Sequence, residues 1–403
     1  MPYPCRSPVA LALGAALILP LVAHAQDAEP APLAKATAAA NNRAGFDLMK
    51  RLKKDGTNTI LSPTSIGICL HLATTAAGGE TRAQMLRTLH ATSVDLPAGN
   101  RALLDALATD PGVTLRIANA VWADPRNVRL DPDFAAASAK HFDAEVRSVD
   151  FSLPATVDVI NAWVGGKTEG KIPKLVGELS DATACLLVNA VYFKGAWGFE
   201  LDPKSTIDAD FAAAGGAQRV RMMSRKEHYH YAEVDRTQVV RLPYGKDGRF
   251  AMWVALPPAG KGLDAWLGEL DGDDLAAWER GASEQEGTIE LPRFKIRMKA
   301  ELNDALIGLG MKDAFLPGVA DFSKLGVGNG RGFFVSKVLH EAILEVNEQG
   351  TVGAAATVVE TLGDGGLAPF SMRCDRPFFI AVADRATGSV LFMGAVHAPE
   401  ALE

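Results

Sequence analysis

Five places in the chain carry residue types that could do chemistry or mark an unusual mechanism. The run Gly326-Val-Gly-Asn-Gly-Arg-Gly332 is glycine-dense enough to suggest a phosphate cradle. Such a loop needs a strand before it and a helix directly after it. Here Phe333 to Val346 follows and alternates as a strand, so a flexible loop is the better reading. His228-Tyr229-His230 sets two imidazoles on one strand face, but no third ligand is evident nearby. A surface strand fits better than a zinc site, and no metal and no cofactor are expected. No G-x-S-x-G elbow occurs, and nothing gathers Ser, His and Asp into a triad. The chain does not read as an enzyme, and no catalytic residue is assigned.

Two polar residues are more informative. Asn189 interrupts the apolar run Leu186-Leu187-Val188 and Ala190-Val191. His340 lies on a strand face with Phe334, Ser336, Val338, Ala342, Leu344 and Val346. Buried polar groups need partners, so both are read as members of an internal hydrogen-bonded network, one able to latch strands together. The fifth place is Glu348 to Thr361. Gly350 is a hinge candidate. From Thr351 the alternate positions are Thr351, Gly353, Ala355, Thr357, Val359 and Thr361, none of them charged. The opposite face carries Val352, Ala354, Ala356, Val358 and Glu360. As a central strand, this segment would bury one face without stranding a charge. Small leading residues would also pass between two existing strands with little displacement. Ala354 to Ala356 would tolerate a helix, while Thr357-Val358-Val359 favours extension. Pattern alone leaves an inserting strand, a helix and a linker open.

The elements that must position these residues follow from periodicity. Phe46, Met49 and Leu52 mark a helix face. Ser62 caps a second helix, Pro63 takes its first position, and Gly78-Gly79 ends it. Val113, Leu115, Ile117, Asn119 and Val121 alternate as a strand. Phe134–Phe142, Val157–Glu169 and Glu301–Gly310 read as helices. Cys185 to Phe193 reads as a strand buried on both faces. Val239–Leu242 and Phe250–Leu256 flank the turn Lys246-Asp247-Gly248. Thr288–Ile296 and Phe333–Val346 read as single strands, and Phe378–Ala383 with Val390–Val396 as a hairpin. Helices come mostly early and strands mostly late, which favours α+β over alternating α/β.

The chain has 403 residues, 48% hydrophobic and 22% charged, with a net charge of −7. A sizeable core is possible, and nothing favours binding to nucleic acid or to an acidic membrane surface. Residues 1–25 read as a signal peptide: Arg6 precedes the apolar run Val9–Ala23, and Ala23-His24-Ala25 fits a cleavage site before Gln26. The mature chain is then expected in a periplasm or the medium, with no membrane anchor. Residues 26–40 read as a disordered lead and 41–400 as one domain. The mature chain keeps Cys69, Cys185 and Cys374, an odd count that does not suggest a disulfide framework. Cys69 and Cys185 sit in apolar runs, whereas Cys374 sits among charges and is expected to be more exposed.

Several collinear blocks resemble the serpin family. Glu345-Val-Asn-Glu-Gln-Gly-Thr351 resembles its hinge. Asp375-Arg-Pro-Phe-Phe-Ile and Val390-Leu-Phe-Met-Gly-Ala-Val resemble its C-terminal signature. Thr183–Trp197, Ser62-Pro-Thr-Ser-Ile66, Gly78-Gly-Glu-Thr81, Ile160-Asn-Ala-Trp163, Thr168-Glu-Gly-Lys-Ile172 and Leu309-Gly-Met-Lys-Asp-Ala-Phe315 are similar to further blocks. The resemblance implies three β-sheets, eight or nine helices and an exposed reactive-centre loop at about 348–370. It implies a monomeric serine protease inhibitor acting as a suicide substrate, whose cleaved loop inserts into the large sheet. The alternative is a non-inhibitory binding or chaperone module. The resemblance places Ser62, Ser65, Asn189 and His340 beneath the sheet opening, and Trp197, Arg293 and Glu348 where the loop first enters. Family inhibitors usually carry Glu where Val352 sits and Ala where Gly353 sits. Family loop length places the scissile bond at Asp364–Gly365, with Leu362–Gly363 and Gly366 as alternatives. The implied target is chymotrypsin-, elastase- or subtilisin-like, or a cysteine protease.

Overall fold

The computed structural model describes Met1 and residues 32–108, 113–180, 182–199, 201–329, 333–351 and 368–402. The signal-peptide reading over residues 1–25 therefore lies outside the described residues, Met1 apart. So do the insertion positions Gly353, Ala355 and Thr357 and the scissile candidates Leu362, Gly363, Asp364, Gly365 and Gly366.

The helices are α1 (Pro32–Leu52), α2 (Pro63–Ala76), α3 (Gly79–Thr88), α4 (Leu96–Leu107), α5 (Pro132–Phe142), α6 (Ala155–Lys167), α7 (Leu263–Leu267), α8 (Asp274–Gly281) and α9 (Asn303–Gly308). The strands are β1 (Thr59–Leu61), β2 (Val113–Ala123), β3 (Val128–Leu130), β4 (Glu145–Ser148), β5 (Cys185–Ala196), β6 (Ile207–Ala213), β7 (Gly216–Val234), β8 (Thr237–Pro243) and β9 (Phe250–Leu256). They continue as β10 (Ser283–Pro292), β11 (Phe294–Glu301), β12 (Gly326–Gly328), β13 (Lys337–Val346), β14 (Gly350–Thr351), β15 (Phe370–Arg373), β16 (Phe378–Asp384) and β17 (Ser389–Val396).

These strands form three sheets among the described residues, in an α+β arrangement. One has nine strands in the order β1-β17-β16-β9-β8-β7-β10-β15, with β6 on β7. The second runs β11-β13-β5-β2-β4, with β14 against β5, and the third is the pair β12-β3. In the second sheet, β5 and β13 are parallel neighbours and β2 is antiparallel to β5. Both faces of this sheet are covered, which is why β5 reads as a continuous apolar run. On one face, α2 packs Cys69, Ala73 and Ala76 near Val121, Cys185 and Leu187. On the other, Ile160 and Val164 of α6 and the following Ile172, Leu175 and Val176 cover Leu186, Val188, Ala190 and Leu339.

The structure corrects several expectations. The lead does not run to residue 40, because α1 begins at Pro32 and buries Ala34, Thr37, Ala38 and Asn41. Those small side chains allow close packing on α4, where a Cβ on Gly99 would sit 2.3 Å from Thr37 Oγ1. Residues 288–296 are two strands in two sheets. Pro292 cannot donate to the ladder and ends β10, and the Arg293 amide donates to the Arg221 carbonyl at 2.8 Å before β11 starts. The final central strand starts at Lys337, because the Val335 and Ser336 amides turn to the carbonyls of Ala314 and Cys185. The helix expected over 301–310 is shorter, at Asn303–Gly308. Gly326–Gly328 is a strand paired with β3. Cys374 is fully buried, not exposed, and burial pushes its thiol pKa up.

Candidate functional site

Two polar clusters sit along β5, about six residues and hence roughly 20 Å apart. The lower one lies where α2 meets the sheet. Ser62 caps α2 by accepting from the Ser65 amide at 3.2 Å. The Ser62 amide donates to His340 Nε2 at 3.3 Å. His340 Nε2 must therefore be an acceptor, so Nδ1 carries the proton and donates to Asn189 Oδ1 at 2.6 Å. Asn189 Nδ2 donates in turn to Ser65 Oγ at 2.5 Å and Asn119 Oδ1 at 2.6 Å. All five side chains are buried. Burial lowers the His340 pKa to about 3, which keeps the ring neutral.

The network bridges β13, β5, β2 and α2. The Asn189–His340 contact crosses the β5–β13 seam at one register pair of a ladder that stops at Ala342↔Val191. Above that pair the two strands are no longer partners. Among the described residues, Ile343–Val346 pairs only with β11, and Tyr192–Ala196 keeps β2 on its far side as far as Gly195.

The upper cluster fills the mouth of this parted seam. After Val346 the chain turns at Asn347–Gly350, and the Asn347 and Gly350 backbones exchange hydrogen bonds of 3.0 and 3.1 Å. Gly350 has φ +118°, and a Cβ there would lie 2.3 Å from the Gly195 carbonyl oxygen, so only glycine fits. Gly350 and Thr351 then pair with Ala196 and Gly195 of β5. Two residues of the segment therefore already lie in the gap as an antiparallel strand. Tyr244 Oη and Thr351 Oγ1 share a hydrogen bond of 2.7 Å. Tyr244 stacks on Trp197 with centroids 4.7 Å apart. Trp197 Nε1 donates to the Asn347 carbonyl at 2.9 Å.

Glu348 is 5% exposed and accepts from Arg293 Nε at 2.6 Å, with Arg293 Nη2 at 2.5 Å. Thr206 Oγ1 also donates to it. Burial works against the charged carboxylate, but the Arg293 and Thr206 donors outweigh it and hold its pKa below the usual range.

Ser62, Ser65, Asn189 and His340 thus meet in one network, and Trp197, Arg293, Glu348, Gly350 and Thr351 meet in the other cluster. Sequence reasoning missed Asn119, Thr206 and Tyr244. Asn119 carried a usable signal, since it interrupts an alternating apolar face as Asn189 interrupts its run. Thr206 and Tyr244 reach the site from distant turns and gave none. His228 and His230 pair with Glu286 and Glu284 across β7 and β10, away from both clusters.

The profile of the serpin (serine protease inhibitor) family matches residues 39–399. A serpin-like protein of Thermococcus kodakarensis is 34% identical, covering 88% of this chain and 84% of its own. Leukocyte elastase inhibitor A of Mus musculus is 33% identical, covering 89% and 98%. The native structure of a thermophilic serpin, tengpin, superposes with a TM-score of 0.82 at 28% identity, over 90% of this chain and 94% of that one. With a family match over nearly the whole chain and a sheet arranged as described, this protein belongs to the serpin family.

Proposed function

We propose that the protein inhibits serine proteases as a suicide substrate. The observation that carries this reading is the two-residue strand β14, set against β5 at the mouth of the parted seam. The β14–β5 pairs and the Asn347–Gly350 turn fix a register on each side, and the two registers agree with the observed β5–β13 offset. In the inserted state we propose, the same registers continued down the seam would set Gly353 between Phe193 and Leu344, and Ala355 between Val191 and Ala342. Thr357 falls between Asn189 and His340. On the opposite face Glu360, the segment's one charge after Glu348, falls beside Lys337.

The chemistry belongs to the target. Its serine attacks the scissile carbonyl within 362–366, the peptide bond breaks, and the new amino terminus leaves with residues to the C-terminal side. The freed segment 352–361, tethered to the protease through the acyl ester, then adds to β5 and β13 as a strand. Serpin loop insertion is itself a standard example of strand addition. The Asn189–His340 bond must part for Thr357 to pass, and the Thr357 hydroxyl can replace what each side chain loses.

Elastase is a fitting first probe, because the mouse relative is named an elastase inhibitor, with chymotrypsin and subtilisin beside it. Each protease is incubated with the protein and the mixture resolved on a denaturing gel. A band of protease plus loop-cleaved inhibitor is expected. Clean loop cleavage with protease activity retained would instead mark a non-inhibitory binding module.

The Arg293–Glu348 pair is proposed to hold the hinge at the mouth of the seam. Glu348→Ala should lower stability by about 1–2 kcal/mol, less than for a fully enclosed pair because Arg293 is 31% exposed and can take water. Unchanged melting and unchanged rate of complex formation would remove the pair from the mechanism.

A further inference from the structure

The two histidines of β7 take no part in either cluster, and the sequence around them offers no third ligand. The sheet does. β7 and β10 run antiparallel, with His228 opposite Glu286 and His230 opposite Glu284. Residues two apart on a strand share a face, and so do directly opposed residues. Two imidazoles and two carboxylates therefore stand on one face of the pair, with backbone spacings of about 5–7 Å between neighbours. Tyr229 and Tyr231 leave by the other face, where both rings pack on Phe370.

The four are not equally free. Glu286 is taken by Lys226, so it is not counted as a ligand. His230 and Glu284 make no side-chain hydrogen bond or ion pair among the described residues. His228 is 32% exposed, and its Nδ1 lies 3.9 Å from Glu227 Oε1. A carboxylate behind one ring nitrogen orients a metal-bound histidine and leaves the other nitrogen to ligate. Two cations share the face, and each has a carboxylate partner. Lys226 has Glu286. Arg241, opposite His230 on β8, has Glu279 at 2.7 Å, which Arg385 also bonds at 2.8 Å. As placed, no three His, Cys, Asp or Glu side chains among the described residues are gathered closely enough to hold an ion. Metal binding must therefore turn His228, His230 and Glu284 inward. All three are half-buried or exposed, and turning them costs rotamer freedom but no existing hydrogen bond.

We propose that His228, His230 and Glu284 form a site for a divalent transition metal of the zinc type, with water completing the coordination. Two imidazoles and one carboxylate are a set that zinc takes with its fourth position open. Calcium and magnesium prefer oxygen ligands alone and are not expected there. The ion ties β7 to β10, whose other edge carries β15. It braces the strand pair on which the chain is seated after the loop.

The test is calorimetric titration of zinc chloride into the untagged whole protein at neutral pH. One zinc per chain with a micromolar dissociation constant is expected, and no comparable heat from calcium. His230→Gln and Glu284→Gln should each weaken binding about tenfold or more. His90→Gln, at a histidine 39% exposed elsewhere on the surface, should leave it unchanged. In the parent, zinc should shift the imidazole resonances of His228 and His230 and leave those of His90 in place, a reading that needs no variant. Absence of saturable binding, indifference to both His230→Gln and Glu284→Gln, or zinc-induced shifts confined to other histidines would overturn the proposal.

Discussion

Thr357→Arg is expected to turn the protein from an inhibitor into a substrate. In the insertion proposed above, the two agreeing registers bring residue 357 between Asn189 and His340, facing α2. That pocket is closed: Ser62, Ser65, Asn119, Asn189 and His340 are all buried. His340 is neutral there, and the five members of the network include no carboxylate. An arginine delivered to this point would bury a guanidinium with no counter-ion, at a cost of several kcal/mol. Insertion competes with hydrolysis of the acyl-enzyme, and each 1.4 kcal/mol on one branch shifts the partition about tenfold. The covalent complex should therefore fall by about a hundredfold or more, while loop cleavage proceeds at the unaltered rate. Thr357→Ser keeps the hydroxyl and should inhibit almost as the parent does. Gel densitometry of complex against cleaved inhibitor reads both. Undiminished complex formation by Thr357→Arg would show that the loop does not travel this path.

The second expectation concerns acid. His340 has a pKa of about 3 in the folded protein, and His71, fully buried in α2 beside Asn100, about 4, against 6.5 for either ring in the open. A histidine held neutral by burial binds fewer protons folded than unfolded. Between the folded value and 6.5, stability therefore rises with pH and is lost as pH falls. Each ring should remove about 1 kcal/mol per unit below pH 6, the limit set by one proton being about 1.4 kcal/mol. Protonation would also set His340 Nε2–H against the Ser62 amide, two donors face to face. Thermal unfolding from pH 6.5 to 4.5 should show this decline. His340→Gln should make the decline shallower by about one ring's share. Because that variant also loses a network member, the imidazole resonances of the parent supply the direct reading. A titration midpoint for His340 above pH 5 would defeat the argument.

Glu348 acts in a lower window. Glu348 has a depressed pKa, so its contribution is intact above the ordinary glutamate range and fails only below it. Scans kept above pH 4.5 separate the histidine effect from that of Glu348.

Much of this site is legible in the sequence. Asn189 and His340 stood out because each breaks a run that is otherwise apolar. Gly350 stood out because a hinge needs a residue tolerant of positive φ. What stayed hidden has physical causes. The N-terminal part of the first helix buries alanines, threonine and asparagine, whose small faces carry almost no hydrophobic signal. The division at Pro292 depends on which sheet receives the chain, and sequence periodicity does not say. Cys374 looked exposed because Arg373, Asp375 and Arg376 surround it in sequence. The chain there turns its charges outward and its sulfur inward. Thr206 and Tyr244 converge on the hinge only through tertiary contact.

The short strand at Gly350–Thr351 has one more implication, and it concerns timing. Starting a ladder is the slow part of zipping, because the chain must be closed upon itself before any bond rewards it. The first teeth are already engaged here, so under the proposed mechanism severing the loop begins a propagation and not a search. The clock that matters is then the speed at which a strand advances past Val191 and Ala342, set against water's attack on an ester. On that proposal, a serpin built this way wins by starting ahead.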